Sequence, residues 1–157
     1  MGKDTLAELQ FKTAMDTAVR ILTLRGHSAH ELSLKLKKRR IRETIVEQVV
    51  VECMRLNYID DAETARRYVA ELKSKGYGRR HVSAAMQKKG LAAGIVEIAL
   101  EEGYSHSEEK ESALKMLDKK KSTFTREKDP YKRKGKIYRY LYARGFSPET
   151  ISSVSSR

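Results

Sequence analysis

The chain has 157 residues, and 33 Lys and Arg against 21 Asp and Glu give it a net charge of +12. This balance favours polyanionic partners: nucleic acid, an acidic protein groove or an anionic membrane. The single cysteine, Cys53, excludes an internal disulfide framework and a thiolate-rich zinc site, and it suits the reducing cytoplasm. Neither a membrane-length apolar run nor a signal-peptide core occurs, so we expect a cytoplasmic protein that does not use a membrane.

The first third of the chain predicts three helices. Apolar residues at helical spacing predict one long helix over residues 5–25, and we expect its first ten residues to be loosely attached because chain ends fray unless they dock. Ser28 and Glu31 match a capping box, which predicts a second helix. Six of the eight residues from Lys35 to Arg42 are basic and none is acidic. A third helix is expected over about 43–56.

The middle third carries an acidic helix start, two helices and two glycine turns. Asp60 and Asp61 suit the positive end of a helix, where carboxylates accept hydrogen bonds from unpaired backbone N–H groups. Gly76 and Gly78 then permit a turn into a second, strongly basic helix. From Arg66 to Lys89 there are eight basic residues and one acid, a local charge of +7.

The last third predicts a further helical unit with an interruption. A helix led by Glu108 comes first, and a charged loop over residues 122–129 follows it. Asp129 as cap and Pro130 at the first helical position predict a new helix over about 131–144, whose three tyrosines cannot all be buried. Ser147-Pro148 predicts a last helix, which we expect to end in a frayed, serine-rich tail.

The three segments are copies of one another. A shift of 50 residues places Gly26 on Gly76 and Ile45-Val46-Glu47 on Ile95-Val96-Glu97, and a shift of 55 places Gly90-Leu91 on Gly145-Phe146. Fixed offsets that respect helical periodicity indicate tandem repeats. We therefore predict an all-α chain of three tandem three-helix, helix-turn-helix-like repeats in an elongated array. An N-terminal helical extension over residues 1–13 precedes repeats at 14–59, 60–104 and 105–157.

The middle repeat resembles a known family. The run Tyr58-Ile59-Asp60-Asp61, then Gly76-Tyr77-Gly78, Arg79-Arg80 and Lys89-Gly90-Leu91, is similar to the central repeat of the RecX proteins, which are bacterial regulators of the RecA recombinase. The resemblance covers about residues 14–154. It implies a negative regulator that lies in the groove of the RecA–single-stranded DNA filament and inhibits ATP hydrolysis, strand exchange and coprotease activity. It also implies roles in DNA repair, DNA recombination and the SOS response.

The sequence departs from this pattern at two kinds of position. Arg40 stands where the other two repeats carry Gly90 and Gly145. Arg42 and Ala92 stand where an acid is expected after the turn, so we predict weak caps on those two helices.

The candidate contacts with nucleic acid or the filament are the basic side chains of three clusters. The first-repeat cluster is Lys35, Lys38 and Arg39; the second-repeat cluster is Arg66, Arg67, Lys73, Lys75, Arg79, Arg80, Lys88 and Lys89; the third-repeat cluster is Lys132, Arg133, Lys134 and Lys136. Arg80 and Lys88 lie two turns apart, so both should point away from the core. Replacing Arg79, Arg80 and Lys88 by Glu is therefore expected to leave the fold intact. Nearby tyrosines, Tyr77 and Tyr138 among them, could stack on bases.

Catalytic, metal and cofactor sites are not predicted. Asp60 and Asp61 lack the further oxygen ligands that a divalent cation wants, and helix capping accounts for them. His27 and His30 have no partner ligands in the sequence, and Cys53 occupies an apolar helix position without a nearby base. We expect no enzyme activity, no cofactor and a monomer.

Two other functions stay open at this point. A helix-turn-helix transcription regulator would have one recognition helix and would read paired half-sites as a dimer, whereas three similar basic repeats suit a long, non-specific track. A nuclease would need a constellation of polar residues that the sequence does not contain. Binding to DNA without a preference for one duplex sequence would favour a RecX-like function over a transcription regulator. Metal-dependent cleavage of DNA would favour a nuclease.

Overall fold

A computed structural model describes residues 2–156, except for the side chains of Lys3 and Asp4. Within that range the chain is all-α, without strands, as predicted. The helices are α1 (Gly2–Leu24), α2 (Ala29–Lys38), α3 (Glu43–Arg55), α4 (Asp61–Ser74), α5 (Arg79–Lys88), α6 (Ala93–Gly103), α7 (His106–Lys119), α8 (Lys121–Thr125), α9 (Pro130–Ala143) and α10 (Pro148–Ser155).

The chain divides into two compact units. Unit 1 contains residues up to Thr64 together with Lys89–Ala92, and unit 2 contains Ala65–Lys88 and the residues from Ala93 onward. In unit 1, α1, α2 and α3 pack against one another. Their shared core is apolar, and Cys53 lies in it as expected. Its buried residues are Ala14, Ala18, Ile21, Leu32, Leu36, Ile45, Val46, Val49, Cys53 and Ile59.

Unit 2 is built around two helix packings. The last helix, α10, packs on α7 and α9, while α5 packs on α6. One buried cluster comprises Ala113, Met116, Leu141, Phe146, Ile151 and Val154. Val154 lies near the end of the chain and is buried, so α10 runs through the serines to Ser155. The serines expected to form a frayed tail are therefore helical as far as Ser155, and Arg157 lies outside the described residues.

Helix starts follow the expected capping chemistry. Ser28 forms a capping box with Glu31, and Asp129 accepts the Tyr131 N–H at 2.9 Å ahead of Pro130. Arg42 gives α3 no side-chain cap, as predicted. These local signals set where helices begin because the first backbone N–H groups of a helix need acceptors.

The expected charged loop over 122–129 is only partly a loop. Residues Lys121–Thr125 form the short helix α8, and Phe124 is buried with its ring 5.6 Å from that of Tyr140 on α9. A single aromatic residue in a polar and charged segment gives no helical periodicity, so the apolar pattern does not predict this helix.

The acidic start of α4 has two functions rather than one. Asp60 caps α4, since its Oδ1 accepts the Glu63 N–H at 3.0 Å. Asp61 instead accepts the N–H of Ala29, the first residue of α2, at 3.0 Å. The sequence interpretation of Asp61 as a cap of its own helix is therefore wrong, although the physical chemistry is the same: a carboxylate at the positive end of a helix.

In unit 1 the start of α2 also docks on a glycine turn. The Ser28 hydroxyl donates to the Lys89 carbonyl at 2.7 Å. Gly90 has φ +76°, and a Cβ there would overlap the ring of His30. Glycine is required at this position both for the left-handed backbone and for the close approach.

Unit 2 repeats this contact with other residues. The Gly78 N–H donates to the Arg144 carbonyl at 2.9 Å, and Gly145, with φ +87°, lies against His81. A carboxylate again holds the helix start, because Glu109 Oε1 accepts the Arg79 N–H at 2.9 Å. Arg79 is the counterpart of Ala29 at the 50-residue shift. The two repeats therefore share this contact, in which a carboxylate accepts the first backbone N–H of α2 or of α5.

None of the helices within residues 2–156 combines the length and the apolar character that crossing a membrane requires.

Candidate nucleic-acid interface

The first-repeat cluster contains one structural residue and two surface residues. Lys35 is half-buried, and its Nζ lies 2.7 Å from Nε2 of buried His27. Lys38 and Arg39 are exposed at the end of α2. Arg39 also lines an open groove of about 520 Å³, together with Arg40 and Arg42.

His27 explains why Lys35 is held. The His27 Nδ1 lies 2.8 Å from the Arg25 carbonyl and therefore donates to it, which leaves Nε2 to accept from Lys35. Burial, reinforced by the charges of Lys35 and Arg25, lowers the pKa of His27, although the backbone hydrogen bond opposes this. The pair stabilises unit 1, so Lys35 is a poor candidate for binding a ligand.

The α4 members of the second-repeat cluster differ in their surroundings. Arg66 and Arg67 are exposed. Lys73 Nζ donates to Glu108 Oε1 at 2.7 Å and lies 5.4 Å from the centre of the Tyr104 ring. Lys75, just beyond α4, forms an exposed ion pair with Glu71 at 2.6 Å. Lys73 thus links α4 to α7 through an ion pair, and its charge is already matched.

Arg79 is not a surface residue. Its side chain is 13% exposed, Nη2 pairs with Glu101 at 3.0 Å, and among the described residues buried Nη1 has no hydrogen-bond partner. Replacing Arg79 by Glu would bury a carboxylate beside Glu101 and near Glu109. The premise that Arg79 points into solvent is therefore wrong, and we now expect the triple replacement of Arg79, Arg80 and Lys88 to destabilise the fold through its first member.

The other residues of this cluster are placed as the periodicity predicts, except Lys89. Arg80 and Lys88 are exposed on α5. The Arg80 guanidinium lies 4.2 Å from the centre of the Tyr142 ring, a cation–π distance. Lys89 is half-buried in unit 1 and donates to Glu31 at 2.9 Å.

The third-repeat cluster lies on α9, which has five basic and no acidic residues. Lys132 and Lys134 are exposed and make no ion pair within the described part of the chain. Arg133 donates to the Glu127 carbonyl at 2.9 Å, and Lys136 pairs with Glu127 Oε2 at 2.8 Å. The side chains of Glu127 and Lys136 are 21% and 47% exposed, so this pair remains partly open to solvent.

Several residues around this cluster are absent from the candidates that the sequence pattern indicates. Arg139 was not among the candidates, yet it lines an open groove of about 490 Å³ on α9 with Lys134 and Tyr138. Tyr131 lines the same groove and is 87% exposed. Helical spacing offered a signal, because Tyr131, Gly135, Tyr138 and Tyr142 recur at intervals of four, three and four residues on one face.

The described residues contain no candidate metal centre. No group of three or more His, Cys, Asp or Glu within residues 2–156 is placed to hold a metal ion. Cys53 is a buried free thiol, and burial raises its pKa. A thiol with a raised pKa is a weak nucleophile at neutral pH.

Comparison with protein families finds three matches in tandem. Residues 14–53 match the first three-helix domain of RecX, residues 60–100 match the second, and residues 107–154 match the third. Each match falls within one of the repeats that the internal offsets indicate.

Named relatives and solved structures agree with these matches. A regulatory protein RecX from Legionella pneumophila is 32% identical over 146 residues, covering 90% of this chain and 91% of the relative. One from Caldanaerobacter subterraneus is 28% identical and covers 93% and 71%. The crystal structure of RecX from Lactobacillus salivarius superposes with a TM-score of 0.85 at 21% identity, covering 92% of this chain and 94% of that one.

Proposed function

Because this chain belongs to the RecX family of regulatory proteins, we propose that it is a negative regulator of the RecA recombinase. In this proposal it lies in the groove of the RecA–single-stranded DNA filament in the cytoplasm. There it inhibits ATP hydrolysis, strand exchange and coprotease activity, and it acts as a monomer by occupying the groove.

The observation that carries the proposal is the unneutralised positive charge of α9. Lys132, Lys134 and Arg139 are exposed on one helix without ion pairs in the described part of the chain, and α9 itself contributes no acid. Like charges held close together repel, so a fold keeps such a set at some cost unless a polyanion offsets it. Phosphates of a DNA strand or carboxylates of a protein filament both supply that charge.

Exposed Arg80 on α5 supports the same reading from a second helix. Its guanidinium already lies on Tyr142 of α9, so α5 presents a cation beside the α9 surface within unit 2. A broad cationic surface without a single inserted recognition helix suits a partner that offers repeated phosphates. The proposed binding is therefore non-specific with respect to DNA sequence.

The test is RecA ATP hydrolysis on single-stranded DNA in the presence of charge variants. Replacing Lys132 and Lys134 by Glu reverses two exposed charges that pair with nothing in the described residues. We expect the concentration needed for half-inhibition to rise about tenfold or more, because attraction to a polyanion becomes repulsion.

The matched control replaces Lys115 and Lys119 by Glu. These residues are exposed on α7 one turn apart and lie outside the candidate clusters. This variant has the same net charge as the α9 variant, and we expect it to inhibit nearly as well as the parent. If both variants lose inhibition equally, net charge alone explains the effect. If the α9 variant inhibits like the parent, α9 is not part of the interface. Tight binding to one duplex sequence alone would instead favour a transcription regulator.

A further inference from the structure

The groove on α9 has the composition of a base-binding site. It is open, measures about 490 Å³, and is lined by Tyr131, Gly135 and Tyr138 together with basic side chains. Tyr131 is 87% exposed and Tyr138 is 42% exposed. Exposed apolar side chains that lie together on one surface mark an interaction site more often than scattered ones do.

Tyr138 belongs to a stack that ends at this groove. Its ring lies 5.7 Å from that of Tyr142 with an interplanar angle of 13°, and the Arg80 guanidinium lies 4.2 Å from the centre of the Tyr142 ring. The order Arg80, Tyr142, Tyr138 fixes the orientation of the last ring, which lines the groove. A planar ligand that enters the groove therefore meets a ring already held in place.

Gly135 leaves the space into which such a ligand would fit. It lies in the interior of α9, where glycine is the least favourable residue after proline. Packing does not demand glycine here, because a Cβ would meet only the tip of Arg139 at 3.4 Å, and its φ is not in the left-handed region. Without a side chain at Gly135, the helix surface between Tyr131 and Tyr138 is covered only by the tip of Arg139, a flexible side chain that can swing onto a phosphate. The two tyrosine positions differ by about 10 Å along the helix axis.

The charge around this space selects an anionic ligand with planar groups. Lys132, Lys134 and Arg139 make no ion pairs in the described part of the chain, and Glu127, the groove's one acid, already pairs with Lys136. Organic cations, which also bind aromatic faces, are repelled by this set. A single nucleic-acid strand offers both stackable bases and phosphates, whereas a duplex keeps its bases paired.

We propose that the α9 groove binds single-stranded nucleic acid by inserting a base over Gly135 between Tyr131 and Tyr138, with Lys134 and Arg139 on the flanking phosphates. The inference rests on the proposed function only in taking a DNA strand as a partner. It adds that the third repeat contacts the bases themselves, so the site distinguishes single strands from duplex.

The experiment measures affinity of the full chain for a short deoxythymidine oligonucleotide and for an abasic oligonucleotide of equal length. Stacking of one base typically contributes enough that Tyr131→Ala or Tyr138→Ala should lower the affinity for deoxythymidine about tenfold. Tyr131→Phe keeps the ring and should bind like the parent. The abasic strand carries the same phosphates without bases, so its affinity should be unchanged in all three variants.

Two further variants separate the ring contact from folding and from charge. Gly135→Gln fills the space over position 135 with a better helix former, so it should raise the melting temperature while it weakens deoxythymidine binding. Tyr58→Ala is the matched control, since Tyr58 is 54% exposed in unit 1, and it should bind like the parent.

The proposal is overturned if Tyr131→Ala and Tyr138→Ala bind deoxythymidine like the parent, or if they lose both oligonucleotides equally. It is also overturned if the parent binds neither strand. RecA inhibition is measured separately on the same proteins. If the parent does not inhibit RecA, the proposed function is refuted. The base-binding groove is still supported in that case if the parent binds deoxythymidine and the Tyr131→Ala variant binds it more weakly.

Discussion

The buried carboxylate of Glu109 should be among the most sensitive side chains of unit 2. Glu109 is fully buried on α7. Its Oε1 accepts the N–H of Arg79 at the start of α5, and its Oε2 accepts the Thr150 hydroxyl of α10 at 2.7 Å. One side chain thus joins three helices, and its loss leaves buried donors unpaired.

The size of the effect follows from those contacts. In Glu109→Ala the Arg79 N–H loses its acceptor, which costs about 1–3 kcal/mol, and the vacated volume adds to this. Thr150 Oγ1 still accepts from the Ser147 hydroxyl at 2.9 Å, but the Thr150 hydroxyl proton loses its acceptor, which adds to the cost. We therefore expect a loss of about 3 kcal/mol. Glu109→Gln retains an acceptor and a similar shape, and it should cost about 1 kcal/mol.

The assay is urea unfolding followed by the helical circular dichroism signal. The control is Glu111→Ala, which makes the same replacement at an exposed position of α7 and should change the free energy of unfolding by less than about 0.5 kcal/mol. If Glu109→Ala unfolds like Glu111→Ala, the carboxylate does not hold the start of α5, and this account of unit 2 is wrong.

Two further predictions concern stability. Arg40 has φ +59° where the other repeats carry glycine. Relief of the left-handed strain exceeds the entropy cost of glycine, so Arg40→Gly should raise the free energy of unfolding by about 0.5–1 kcal/mol. A lower urea midpoint for this variant would contradict the prediction. Hydrogen bonds from Lys73 and from Ser105 lower the pKa of Glu108 from 4.5 to about 2. Because the pKa of Glu108 is lower in the folded state, its carboxylate stabilises the fold above pH 4.5, and this contribution is lost as the pH falls towards 2. Lys73→Met should therefore make the melting temperature depend less on pH across that interval. An unchanged dependence on pH would refute the pairing of Lys73 with Glu108.

Much of the fold follows from patterns that lie within one helix or one repeat. Helix starts at Ser28, Asp129 and Ser147 follow from capping chemistry, and the all-α class follows from apolar periodicity. The glycine turns follow from the internal offsets, because Gly90 and Gly145 fall on one another at a shift of 55. These signals are either local in sequence or repeated along the chain, so one sequence contains them in full.

The surface could not be predicted to the same degree, because its details depend on contacts between distant helices. Arg79 and Arg80 are adjacent and chemically identical, yet the Arg79 side chain is largely covered and pairs with Glu101 on α6, while Arg80 stays exposed. Lys73 and Lys89 are neutralised by Glu108 and by Glu31, acids 35 and 58 residues away. Charge counting identifies a basic segment, but it cannot separate cations used in packing from those left for a ligand.

The most direct test of the central claim is the rate of ATP hydrolysis by the cognate RecA on single-stranded DNA as this protein is added. The account predicts that the rate falls as the protein concentration rises, and that the Lys132→Glu, Lys134→Glu variant requires about tenfold more protein for the same fall. An unchanged rate, at concentrations where the protein is shown to bind the filament, would contradict the claim that it is a negative regulator of RecA.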